Sequence, residues 1–211
     1  MAVDTPGTRI HSPFAAPATV ARLEAVARAL EANGFVTELA ATAEDAKRAV
    51  LDLIPLGSEV HSGASTTLEA LGLQLEFDSG RYDPVRPKYL KLDRSTQMPE
   101  LRKLISAPQI MLASACAVTE SGSLVLASAT GTQLGAVVFG ASVVILVIGA
   151  QKIVHDLDVA FRRVEEYCLP LEDERAQRVY NARSSISKLL VLNKETASRT
   201  HVILVCEPLG Y

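Results

Sequence analysis

A chain of 211 residues, 48% hydrophobic and 21% charged, is long enough for one sizeable core and is ordinary in composition for a globular protein. Its formal net charge of −3, without a long Lys/Arg cluster, argues against nucleic-acid binding, which needs a basic stripe or patch. Cys116, Cys168 and Cys206 lie far apart and form no CxxC, which excludes a zinc-finger type of site and a disulfide scaffold.

The sparse, odd cysteine count fits a reducing compartment, and each cysteine reads as a small buried hydrophobe. Met1 to Pro17 carries Pro6, Pro13 and Pro17 and no apolar run of the signal-peptide kind. The expectation is a flexible tail over residues 1–16, one domain over 17–211, and a cytoplasmic location. Thr19 to Asn33 has the apolar spacing of a helix, with Gly34 as its stop, and Phe35 to Leu39 reads as a strand. Thr42 is placed to cap a helix that runs to Ile54, with Glu44 and Asp45 in its first turn. Glu59 to Ser62 is a short strand, followed by a turn at Gly63 and Ala64 and a helix over Ser65 to Leu71. Gly72 to Pro87 is irregular or weakly stranded, and Asp93 to Ser106 reads as a helix.

Gln109 to Ala113 and Ser123 to Ala127 read as strands, and Val143 to Ile148 has the branched run of a buried parallel strand. Leu134 to Ala150 is nearly all apolar, yet it falls short of the ~20 residues of a membrane span and is broken by Gly135, Gly140 and Ser142. It reads as a buried helix running into the buried strand, so no membrane association is expected. Asp156 caps a helix whose inner face is Leu157, Ala160, Phe161, Val164 and Cys168. Glu172 to Leu192 reads as a further helix with Val179, Ile186 and Leu190 inward, and His201 to Cys206 as the last strand. Strands alternating with helices predict an α/β fold, a Rossmann-like, mostly parallel open sheet with helices on both faces.

Ligands of such sheets sit beyond the carboxyl ends of the strands. Three loops have that position. Ser62, Gly63, Ser65, Thr66 and Thr67 leave a strand and open a helix, where unpaired N–H groups and hydroxyls could cradle a carboxylate or phosphate; an N-cap with exposed threonines is the plainer alternative. Glu120, with Ser121 and Gly122, is a lone carboxylate among small polar residues, suited to proton transfer or nucleophilic attack, or else an exposed turn glutamate. Thr130 and Gly131 resemble a second anion-binding helix start, and Lys152 could neutralise an anion at the mouth or lie on the surface. His61 and His155 also lie near strand ends, as proton shuttles or as structural histidines.

Four segments in order resemble one family. VHSGASTTLEALGL (Val60 to Leu73), ACAVTESGSLVLASATGTQLGAVVFG (Ala115 to Gly140), VVILVIGAQKIVHDLDVAFRRV (Val143 to Val164) and VILVCEPLGY (Val202 to Tyr211) are similar to the LUD domain of the lactate utilisation protein C type. The resemblance implies a fold like that of the sugar-phosphate isomerases and coenzyme A transferases. It also implies a role in oxidising lactate to pyruvate beside iron–sulfur partner subunits. In that broader group a carboxylate in a Glu/Asp-Gly-type loop often does the chemistry, a place that Glu120 and Gly122 would take. Pro170 to Ser198 holds no cysteine where many relatives have a cysteine-rich segment, so neither a metal nor another cofactor is expected in this chain. Three readings stay open: a non-redox subunit or accessory protein binding a small anionic ligand, an isomerase- or transferase-like enzyme using Glu120, and a ligand sensor or structural module.

Overall fold

The computed structural model describes residues 12–196 and 198–211. Its centre is a six-stranded parallel sheet of β1 (Val36–Ala40), β2 (Glu59–Ser62), β3 (Asp83–Pro84), β4 (Ile110–Ala113), β7 (Val143–Gly149) and β10 (Thr200–Val205), in the order β1-β10-β7-β4-β2-β3. A second sheet has the order β8-β5-β6-β9, with β5 (Ala117–Thr119), β6 (Leu124–Ser128), β8 (Ile153–Val154) and β9 (Lys188–Leu192). The mixed α/β, mostly parallel architecture is the one expected from the alternation of strands and helices.

Period-2 alternation sorts the central strands onto two faces. Met111, Ala113, Val144, Leu146, Val202 and Leu204 face one core, which α1 (Val20–Ala32) and the inner side of the second sheet cover through Leu23, Val26, Leu30, Leu124 and Leu126. Ile110, Leu112, Ile145, Val147, Ile203 and Val205 face the other, which is closed by α2 (Ala43–Asp52), α3 (Thr66–Ala70) and α4 (Leu73–Glu76). Thr19 caps α1, Thr42 forms a capping box with Asp45 at α2, and Ser65 caps α3. Among the described residues, no helix is long and apolar enough to cross a membrane.

Several expected boundaries move, each for a local reason. Of the expected tail, residues 1–11 lie outside the described residues. Pro13–Ala15 forms a short turn, and the Phe14 ring lies 6.4 Å from that of Tyr167. Gly72 to Pro87 holds short helices around one two-residue strand, β3, the last helix being α5 (Val85–Tyr89). α6 is only Met98–Ser106, because Asp93 accepts from the Ser95 N–H and from the Ser95 and Thr96 hydroxyls and turns the chain before the helix starts. The buried helix before β7 shrinks to one π-helical turn, Ala136–Gly140. The Arg199 guanidinium caps it by donating to the carbonyls of Ala136, Val137, Val138 and Ala141.

α7 (Leu157–Arg163) runs through a π-helical turn, Val164–Cys168, into α8 (Leu169–Tyr180). Pro170 has no N–H to donate back along the helix, which accounts for the widened turn just before it. The helix expected over Glu172 to Leu192 stops at Asn181, which adopts the left-handed conformation that asparagine tolerates (φ 52°). The chain beyond it becomes β9, paired antiparallel with β6.

The hairpin of β5 and β6 docks its tip onto α1. Gly122 sits at φ +81°, and a Cβ added there would lie 2.8 Å from the Ala29 backbone carbon. Gly122→Ala is therefore expected to lower unfolding stability by roughly 2–4 kcal/mol, through strain and collision together. Urea denaturation of the variant beside the parent protein measures this, and a loss below about 1 kcal/mol would contradict the tight docking.

Candidate functional site

The carboxyl ends of β2, β4 and β7, neighbours in the sheet, open onto a cavity of about 620 Å³. Two of these strands pass directly into the second sheet, β4 through Ser114–Cys116 to β5 and β7 through Ala150–Lys152 to β8. Both crossings line the cavity. The Ser62–Thr66 loop after β2 forms a further wall, and Ala127–Thr130 at the end of β6 another. α8 closes it with Glu172, Arg175 and Ala176, together with Tyr211 from the C-terminal segment.

Lys152 is the central group. It is only 1% exposed, and its Nζ donates to Thr67 Oγ1 at 2.8 Å and to Ser114 Oγ at 3.0 Å. Each hydroxyl donates onward, Thr67 to the Leu209 carbonyl at 3.1 Å and Ser114 to the Val147 carbonyl at 2.7 Å. Their hydroxyl protons are thus committed elsewhere, and their lone pairs are left to face the ammonium. Among the described residues no carboxylate pairs with Lys152. Burial, with the Arg163 charge adding to it, lowers its pKa to about 8, against the pull of Cys116 and Cys168.

The cavity's other charged side chains are Arg86, Arg94, Arg175 and Arg183, set against a single carboxylate, Glu172. Glu172 is already used: it takes two bonds of 2.8 Å from Arg175 and a hydrogen bond from the Tyr211 hydroxyl. His61 is 4% exposed, and its Nδ1 has no hydrogen-bond partner among the described residues. Burial, reinforced by Arg86, lowers its pKa to about 4, so it stands neutral in the cavity wall. An uncompensated ammonium and surrounding guanidinium groups favour an anion as occupant. Among the described residues, no group of three or more His, Cys, Asp or Glu side chains is gathered as for a metal.

Two of the three expected loops meet here. Ser62, Gly63, Ser65, Thr66 and Thr130 line the cavity, while Thr67 holds Lys152 from behind it. A Cβ on Gly63 would lie 2.6 Å from the Gln133 side chain, so the first and third loops touch. Two details differ from a helix-start cradle: the Gly63 N–H is spent on the Leu112 carbonyl, and α3 has only five residues. Gly131 is not in the wall but shapes its turn, with its N–H bonded to Ser128 Oγ at 2.8 Å.

Glu120, Ser121 and Gly122 do not join them. The cavity touches β5 at its start, Cys116, and β6 at its end, so the tip of this antiparallel hairpin lies at the far end, about 13 Å along the strand. There Glu120 accepts from Arg22 Nε at 2.7 Å and pairs with His155 Nδ1 at 2.9 Å, and Asn33 Nδ2 donates to the Ser121 carbonyl at 2.8 Å. These contacts pin the tip to α1. The expected convergence of all three loops on one site is therefore corrected to two.

Sequence reasoning passed over Ser114, Cys116, Cys168 and Arg175. They come to line one cavity only through the tertiary fold, which leaves no local pattern. The His155 and Arg22 partners hold the Glu120 carboxyl below the usual range, and Glu120 raises the pKa of the exposed His155. In Glu120→Gln the His155 titration followed by NMR should accordingly move down toward an ordinary histidine value. An unmoved midpoint would refute the pair.

The comparisons with known proteins agree with this fold. No curated protein matches the chain. A crystal structure of a DUF162 family protein from Deinococcus radiodurans superposes with a TM-score of 0.54 at 15% identity, over 88% of this chain and 96% of that one, a likeness of fold. The model of the LUD domain matches residues 23–205, and the chain belongs to the LUD domain family.

Proposed function

We propose that this LUD-domain protein serves lactate utilisation as a non-redox, cytoplasmic subunit or accessory protein, binding a small carboxylate or phosphate against Lys152 and working beside iron–sulfur partner subunits. The observation that carries the reading is the buried Lys152 ammonium, held by two hydroxyls and matched by no carboxylate among the described residues. A buried charge persists only where something compensates it, and an anionic ligand in the cavity would do so. Ser62, Ser65, Thr66 and Thr130 supply hydroxyls around the same space, and neutral His61 offers an unpartnered nitrogen. The family ties such a ligand to lactate chemistry, where L-lactate and pyruvate are both carboxylates of this size. Glu120 stands outside the cavity, so the reading does not depend on it.

Calorimetry with L-lactate, pyruvate and inorganic phosphate tests the proposal. Lys152→Met keeps the length of the side chain and removes its charge. It should weaken binding by roughly 3 kcal/mol, on the order of a hundredfold in Kd, without lowering the melting temperature. The sign of the pH effect follows from the lowered pKa. The ammonium form binds the anion and is lost as pH rises through about 8, so affinity should fall above that pH by up to about tenfold per unit. Binding that is equally tight in Lys152→Met, or flat from pH 7 to 10, would remove Lys152 from the site.

A further inference from the structure

Arg163 is the second buried cation, at 0% exposure. Its Nη1 donates to the Cys116 carbonyl and lies 3.0 Å from Cys168 Sγ, its Nη2 reaches the Phe14 carbonyl at 3.4 Å, and its Nε has no partner. Its guanidinium carbon lies 5.1 Å from the Tyr167 ring centre. No carboxylate among the described residues pairs with it. Lys152 and Arg163 thus flank Cys116 and Cys168, and both cysteines line the cavity. Both are free thiols, and Cys168 Sγ lies 4.0 Å from the Cys116 carbonyl. Sulfur is the group at hand that can carry negative charge between the two cations.

We propose that Cys116 and Cys168 form a peroxide-oxidisable thiol pair in the cavity wall, with Cys116 as the attacking sulfur and Cys168 as the resolving one. Cys116 takes the first role because it is partly exposed at the cavity while Cys168 is buried. The hydrogen bond from Cys168 and the charges of Lys152 and Arg163 also hold the Cys116 thiol below the ordinary range, whereas the neighbouring Cys116 and burial push Cys168 up. Cys168 belongs to the π-helical turn before Pro170, which departs from the regular α-helical hydrogen-bond pattern.

The chemistry balances with a hydroperoxide as the oxidant. The Cys116 thiolate attacks one peroxide oxygen, the O–O bond breaks, and the leaving oxygen takes a proton to give an alcohol, or water from hydrogen peroxide. Cys116 is left as a sulfenic acid. Cys168 then attacks that sulfur, the S–S bond forms, the S–O bond breaks, and the hydroxyl leaves as water with the proton from Cys168. Two thiols have lost two electrons and two protons, and the peroxide has gained them.

The test is one equivalent of hydrogen peroxide added to the whole protein, followed by alkylation of the remaining thiols and peptide mass mapping. The expected product is a linked Cys116–Cys168 peptide, with Cys206, the partly exposed cysteine elsewhere, still alkylated. Cys168→Ala should halt the reaction at a sulfenic acid on Cys116 that dimedone traps. Cys116→Ala should slow peroxide consumption by about tenfold. Oxidation of Cys206 as fast as Cys116, or a wild-type map without the linked peptide, would overturn the pair. The mapping uses no ligand, so failure of anion binding at Lys152 leaves its outcome unchanged.

Discussion

The ammonium of Lys152 ties the end of β7 to α3 and to the end of β4 at the mouth of the cavity. It is drawn out of water at the point where β7 leaves the central sheet for the second one, and it is satisfied by a hydroxyl from α3 and another from the end of β4. Those hydroxyls in turn fix the Leu209 carbonyl and the edge of β7. Gln151 beside it clamps the same C-terminal segment, accepting from the Leu209 N–H at 3.0 Å and donating to the Gly210 carbonyl at 2.8 Å. One short stretch, Gln151–Lys152, is thus bonded to α3, to the end of β4 and to the Leu209–Gly210 backbone.

Charge balance runs through the same stretch. A protein interior rarely tolerates two cations without an acid, and this one carries Lys152 and Arg163 around a pair of sulfurs. Glu172 is not their counter-ion, since Arg175 and Tyr211 already occupy it. The balance is therefore open to whatever enters the cavity, and the thiols and the ammonium respond to each other's charge. The two cations and the two sulfurs lie within reach of one another's fields.

What was legible in the sequence is what local chemistry sets. The caps at Thr42 and Asp156 and the branched run of β7 were readable because each depends on residues within a few positions of one another. The burial of Lys152 was not, because its partners lie 85 and 38 residues away. Glu120 illustrates the opposite error. A carboxylate between two strands resembles a catalytic loop when both strands are taken as parallel, but an antiparallel return carries the turn to the other end. Cys168 fell on the apolar face of a helix and was read as core, which its burial supports; only the π-helical turn and Arg163 give its sulfur a polar setting. β9 was hidden because Val179, Ile186 and Leu190 share an apolar spacing that suits a helix, while Asn181 breaks the backbone between the first of them and the other two.

The strand order carries a consequence for how the molecule is made. β10 lies between β1 and β7, with His201 in register with Val36 on one side and with Ile145 on the other. A nascent chain can assemble β2, β3, β4 and β7 while β1 has no neighbour at all. Until residues 200–205 leave the ribosome, β7 presents an open edge of branched apolar residues and α1 has only part of its platform. Closure then inserts one strand between two waiting edges, a non-local step whose loop-entropy cost is met only once β10 is available.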